Sequence, residues 1–273
     1  MNPALMRAQV GQLHSEGGVR VVANVLLQTE GLTRRFGGLV AANAISLAVA
    51  LNEVHAVIGP NGAGKTTLIG LLCGEIFPQD GRILFDGADI TKLPEHRRSQ
   101  LGLARSFQIT SLFGGFTALD NVALAVQAHR GHSFRFWRNA HHEDVLRRPA
   151  LAVLERAGLA HRAGVRVDRL SHGEHRQLEI AVALATEPRL MLLDEPMAGM
   201  GPDESAQMVR MLQKLKGSMT ILLIEHDMEA VFALADRLTV LVEGRIIATG
   251  EPEAIRADAA VRQAYLGERE SQL

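Results

Sequence analysis

The sequence predicts an α/β fold: a mostly parallel core sheet covered on both faces, with a small antiparallel β-subdomain and a helical subdomain. Two observations carry this. Short, almost wholly apolar runs at 53–58, 190–193 and 220–224 each lead into a segment of helical periodicity, the pattern of strands buried on both faces. Between the first run and its helix lies a glycine-rich segment, Gly59-Pro60-Asn61-Gly62-Ala63-Gly64.

The elements follow in order. Residues 1–24 have weak periodicity and read either as a flexible extension or as a tag-like or mis-started N-terminus. Residues 27–51 read as strands around a Gly37-Gly38 turn. After the strand at 53–58, residues 65–73 have a helical pattern. Residues 82–85, between Gly81 and Asp86-Gly87, read as one arm of a small antiparallel sheet. The middle, about 110–170, reads helical, with spaced apolar residues at 121–129 and 145–157. Between them, 130–142 is rich in arginine, histidine and aromatics. Its histidines lack ligand spacing, so it reads as a solvated or partner-facing loop. The last third alternates helix (171–186, 203–215, 228–235) with strand (190–193, 220–224, 238–242, 245–248), the last two separated by Glu243-Gly244. A single domain is expected over 25–268, with a tail at 269–273.

Composition narrows the function classes. The 273 residues are 47% hydrophobic and 22% charged, which excludes a wholly disordered chain. Lys+Arg 29 against Asp+Glu 30 leaves a net charge of −1, so a nucleic-acid partner is not expected. A single cysteine, Cys73, excludes an internal disulfide and a cysteine-rich zinc site. No apolar run reaches the roughly 18 residues a bilayer span needs; the nearest, 41–51, is interrupted by Asn43 and Ser46. The N-terminus has no signal-peptide pattern, so a cytoplasmic protein is expected.

The chemistry concentrates at three strand ends. Gly59-Pro60-Asn61-Gly62-Ala63-Gly64-Lys65-Thr66 fits G-x-x-x-x-G-K-[ST] without departure. Its glycines let backbone N–H groups converge on phosphate oxygens. Lys65 reaches the outer phosphates, the Thr66 hydroxyl suits Mg²⁺, and the helix start favours anions. Only four lysines occur in the chain (65, 92, 214, 216), so one at this position is informative. The run 190–193 delivers Asp194 and Glu195. Asp194 suits Mg²⁺ contact, and Glu195, pointing elsewhere, suits polarisation of an attacking water. His226 follows the next strand, and parallel geometry puts it at the same sheet edge, within reach of a γ-phosphate.

These motifs, with Leu170-Ser171-His172-Gly173-Glu174 downstream of the phosphate loop, resemble the nucleotide-binding subunits of ATP-binding-cassette (ABC) transporters. The resemblance extends over about 27–266. The family's signature is usually Leu-Ser-Gly-Gly-Gln. Here His172 and Glu174 depart from it, while Ser171 and Gly173, which the resemblance assigns to a γ-phosphate held by a partner subunit, are kept. The resemblance further implies that Phe36 stacks on adenine, that Pro60, Asn61, Ala63 and Thr67 belong to the ATP-binding loop, and that Gln108 reaches Mg²⁺ and the attacking water. His226 is implied as the switch histidine. Gly201 stands where Asp is common, which leaves that loop's contact across the dimer open.

Several features are similar to the high-affinity branched-chain amino-acid uptake ATPases. The similarity lies in the Ser-His-Gly-Glu variant, Arg176-Gln177-Leu178-Glu179-Ile180, Ala198-Gly199-Met200-Gly201-Pro202, Ile224-Glu225-His226-Asp227-Met228, Ala264-Tyr265-Leu266-Gly267-Glu268 and the long middle loop. Urea-uptake ATPases look alike around two of these segments. Lipopolysaccharide-export ATPases share the Tyr-Leu-Gly-Glu ending but generally lack the loop. What the resemblance implies is an ATP- and Mg²⁺-dependent ATPase, peripheral on the cytoplasmic face of the inner membrane. Its expected partners are two transmembrane permease subunits and a second ATPase subunit, by analogy a paralogue, with self-pairing as the alternative. A periplasmic solute-binding protein would act indirectly.

Overall fold

The computed structural model describes residues 24–105, 112–129 and 141–263. β1 (Val25–Phe36) reverses at Gly37-Gly38 into β2 (Leu39–Ile45), with Phe36 opposite Leu39. β3 (Ala48–Ala50) pairs back on β1, and the chain enters β4 (Val54–Ile58), buried at every residue. The phosphate-loop segment then leads into α1 (Lys65–Cys73). β5 (Asp80–Phe85) and β6 (Ala88–Asp89) complete an antiparallel sheet of order β2-β1-β5-β6. Asp86 and Gly87, at φ 51° and 77°, make the primed turn a two-residue hairpin favours.

α2 (Glu95–Gln100) and β7 (Leu103–Arg105) follow. The helical layer comprises α3 (Ala118–His129), α4 (His141–Arg156) and α5 (His172–Leu184). The remainder alternates β8 (Leu190–Asp194), α6 (Pro202–Leu215), β9 (Thr220–Ile224), α7 (Met228–Leu234), β10 (Arg237–Val242), β11 (Arg245–Gly250) and α8 (Pro252–Ala257). The second sheet has the order β11-β10-β4-β9-β8-β7, parallel except for β11.

Period-two alternation divides this parallel sheet between two cores. Ala56, Ile58, Met191, Leu193, Ile221 and Leu223 face the cluster that includes α3 to α7. Val57, Leu190, Leu192, Leu222 and Ile224 face the cluster built from α1 and the antiparallel sheet. Strands buried on both faces need apolar residues at every position, which is why these runs show no polar alternation.

Two buried polar groups finish the frame. His55, on β4 and fully buried, has Nδ1 2.8 Å from Glu53 Oε1 and Nε2 2.8 Å from Thr239 Oγ1. Arg98, also fully buried, donates to the carbonyls of Leu71, Leu72, Leu93 and Thr91. It thereby satisfies the carbonyl end of α1 with a cation where the helix dipole is negative. Hydropathy suggests no element at 95–105; a charged side chain turned inward hides both α2 and β7.

Candidate functional site

The phosphate loop is fixed by close backbone approach. A Cβ on Gly64, which has φ 101°, would lie 2.3 Å from the Ala41 carbonyl oxygen, and one on Gly59 would lie 2.1 Å from that of Leu241. No side chain fits either place. The turn of the β10–β11 hairpin supports the loop: the Gly244 N–H donates to Ala63 O at 2.9 Å, and the Asn43 N–H to Gly244 O at 2.8 Å. Lys65 is buried, and its ammonium donates to Gly59 O at 2.6 Å and Pro60 O at 2.9 Å.

A cleft of about 1010 Å³ opens over this loop. Phe36, Asn61, Gly62, Ala63, Gly64, Lys65, Thr66, Thr67 and Glu195 all line it. Phe36 is half exposed, with the Arg34 guanidinium 4.9 Å from its ring centre. Arg245 also lines the cleft, and with Asn43 Oδ1 facing it that oxygen accepts from its Nη2 and Nε at 2.8 Å.

Glu195 stands at the end of β8 with φ 48°, left-handed backbone that a residue with a Cβ rarely adopts. Its N–H donates to Ile224 O at 2.9 Å, which ties the end of β8 to the end of β9. His226 Nδ1 lies 3.8 Å from Glu195 Oε1, both side chains open to solvent. Beneath them Glu225, 1% exposed, accepts from Met197 N at 3.0 Å through Oε1 and from His226 N at 3.0 Å through Oε2. One buried carboxylate therefore holds the two loops that carry Glu195 and His226. Sequence reasoning reaches Glu225 only as part of a similar segment, because its partners meet only in the fold.

Asp194, the last residue of β8, is buried and does not line the cleft. Burial pushes its carboxyl up, opposed by Arg105, whose Nη2 lies 3.3 Å from Oδ2. Arg105 also pairs with Glu75 beyond α1. Among the described residues no group of three or more His, Cys, Asp or Glu side chains could hold a metal alone. Thr66 and Asp194 instead suit a hard cation that arrives with phosphate and water oxygens, the sparse protein ligation Mg²⁺ prefers.

Ser171 and Gly173 do not line this cleft. They form the start of α5, where Ser171 and Glu174 make a reciprocal capping box. Burial raises the Glu174 carboxyl, but Arg162 at 2.5 Å and the Ser171 N–H outweigh it and hold it below the ordinary range. The departure from glutamine thus supplies a charged cap. The His172 ring Nε2 lies 3.3 Å from Ala198 O, so the other departure touches the loop after Glu195. Gly201 caps α6, and a Cβ there would meet nothing within 4 Å, so packing does not demand glycine at this position. The corner's two donors are met by Glu204: Ser171 Oγ donates to Glu204 Oε1 at 2.9 Å and the Gly173 N–H at 3.1 Å.

Gln108, residues 1–23, loop positions 130–140 and the segment 264–268 lie outside the described residues.

The chain is similar to known proteins in sequence and fold. Residues 42–198 match the family model described as ABC transporter, and 245–271 match one described as branched-chain amino acid ATP-binding cassette transporter. The chain is 40% identical over 252 residues to the high-affinity branched-chain amino acid transport ATP-binding protein BraF of Pseudomonas aeruginosa, covering 89% of this chain and 98% of BraF. It is 38% identical to LivG of Escherichia coli, similarly described, at the same coverage. Among solved structures, the ADP conformation of an ATP-binding cassette of an ABC transporter superposes with a TM-score of 0.77 at 30% identity, covering 89% of this chain and 99% of that one.

Proposed function

The chain belongs to the ABC transporter family as an ATP-binding cassette, an ATPase coupled to transport, and from that premise we propose that it energises import of branched-chain amino acids. The observation that carries the hydrolytic reading is the delivery of Glu195 to the cleft that Lys65 and Thr66 line, with His226 3.8 Å from Glu195. The solute class rests on the similarity to BraF and LivG and on the match at 245–271.

In this reading Phe36 stacks on adenine, and the backbone N–H groups of 59–67 with Lys65 cradle the phosphates. Mg²⁺, held by Thr66, Asp194 and Gln108, would neutralise phosphate charge. Glu195 orients and polarises the attacking water, and His226 steadies the γ-phosphate as charge develops. Ser171 and Gly173 act on the nucleotide of a second ATPase subunit. The permease docks on the helical layer, where Phe116, Ala123, Leu124 and Leu146 line a groove of about 360 Å³ and Phe113 and Phe116 are exposed. Rigid-body closure then links hydrolysis to transport. Among the described residues no helix is long and apolar enough to cross a membrane; in this reading the subunit is peripheral, on the cytoplasmic face.

The test is uptake of labelled leucine by source cells lacking this gene, with the solute-redundant importers also deleted, rescued by wild type or by Glu195→Gln. Loss on deletion with rescue by wild type alone supports the reading. Unchanged leucine uptake with lost urea uptake would move the solute class. Full hydrolysis by Glu195→Gln in the purified transporter would overturn the role given to Glu195.

A further inference from the structure

The start of α5 carries a contact that the proposed reaction has to undo. A single oxygen, Glu204 Oε1, accepts from both Ser171 Oγ and the Gly173 N–H, at 2.9 and 3.1 Å. Those are the two donors assigned above to a γ-phosphate. The space is taken as well: a Cβ on Gly173 would lie 2.9 Å from both the carboxyl carbon and Oε1 of Glu204. The Gly173 N–H and the Ser171 hydroxyl hold the Glu204 carboxyl below its ordinary range. Helix α6 does not itself require this orientation, because an acidic residue in its first turn favours the helix dipole with its side chain in solvent too.

Resting on the functional reading above, we propose that Glu204 is an internal phosphate mimic, whose carboxylate fills the anion corner of α5 in the separate subunit and must be displaced by the γ-phosphate a partner subunit presents. Carboxylate and phosphate oxygens compete for the same charge-assisted hydrogen bonds, and like charges exclude double occupancy. Glu204 is only half-buried, so its side chain has solvent to move into. Until it moves, the corner is closed to phosphate, and apparent affinity for ATP falls by the fraction of subunits that remain closed. Glu204 is on this account a positioning residue. It sets how much ATP is needed to close the dimer and takes no part in the chemistry after closure.

The experiment is steady-state hydrolysis against ATP concentration by the transporter purified with its permease and partner ATPase. Wild type, Glu204→Gln and Glu204→Ala are compared, with Lys65→Ala and Glu195→Gln as controls. Both Glu204 variants should lower KM for ATP by about 3- to 10-fold with kcat within about twofold of wild type, as removal of one competing charged acceptor predicts. In the isotopically labelled full chain, the Gly173 amide resonance should lose its carboxylate-bonded position in Glu204→Gln. A KM that stays or rises in both variants overturns the proposal, including the case in which Glu204 merely stabilises the fold and only the melting temperature drops. If instead Lys65→Ala and Glu195→Gln hydrolyse normally, the nucleotide-site reading itself has failed, which is a different result.

Discussion

The phosphate loop and the start of α5 are both anion sites at helix N-termini, yet they are built differently. The loop is contiguous in sequence, enclosed by backbone from β2 and the β10–β11 turn, and tied to a rigid parallel strand. The α5 corner is exposed at Ser171, leans on α6 and the 198–201 segment, and has its donors met by a carboxylate of its own chain. One site is fixed by backbone of the same subunit; the other is filled by a side chain of the same subunit. In the proposed reading, pre-organisation belongs to the site that binds first, and adjustability to the site that waits for a second subunit.

The sharpest way to break the finished site is Gly64→Ala. With φ 101° and a Cβ 2.3 Å from a carbonyl oxygen, the loop has to move, and ATP affinity should fall at least ~100-fold, read by titration with a fluorescent nucleotide. Retained affinity would mean that the loop is adaptable after all. Next comes Glu225→Ala, which strands buried backbone donors under Glu195 and His226 and should cost about 2–4 kcal/mol of stability by denaturant unfolding. Its kcat should fall further than its ATP affinity, because the phosphate loop itself is untouched.

A smaller effect, of opposite sign, is expected for Asp194→Asn. Burial raises this carboxyl's pKa, so the ionised form is penalised in the fold. In the wild type this stability is present below the ordinary carboxylate pKa and is lost as pH rises through the raised one. The asparagine variant lacks that loss, so its melting temperature at neutral pH should exceed wild type while hydrolysis collapses. A lower melting temperature would show that the Arg105 pair outweighs the burial. The smallest effect concerns the reserved site. Glu174→Gln restores the family's usual residue but weakens the pairing with Arg162, and should cost under about 1 kcal/mol with no change in ATP affinity.

The same contrast explains what is legible in the sequence. The loop 59–66 is readable because its residues are contiguous in sequence and each residue type has one physical use. The buried strands are readable because a doubly covered sheet leaves no polar alternation, and the helix expected at 65–73 falls on the residues of α1. Glu225, Arg105 and Glu204 are not, since each acts on residues distant in sequence: Arg105 meets Asp194 only because β7 lies beside β8. Arg98 is hidden for the converse reason, since a charge satisfied by four carbonyls can be buried where hydropathy expects surface.

The strand order has a consequence for how the molecule is made. β4, which ends in the phosphate loop, is flanked by β9 and β10, and the loop rests against Gly244. During synthesis the loop emerges early, while its flanking strands are still untranslated. A nascent chain therefore exposes the nucleotide motif long before it can bind nucleotide, and a truncated product ending before 237 is left with β4 as an unpaired edge on one side. The support of the loop is therefore complete only once β10 and the Gly244 turn have been made.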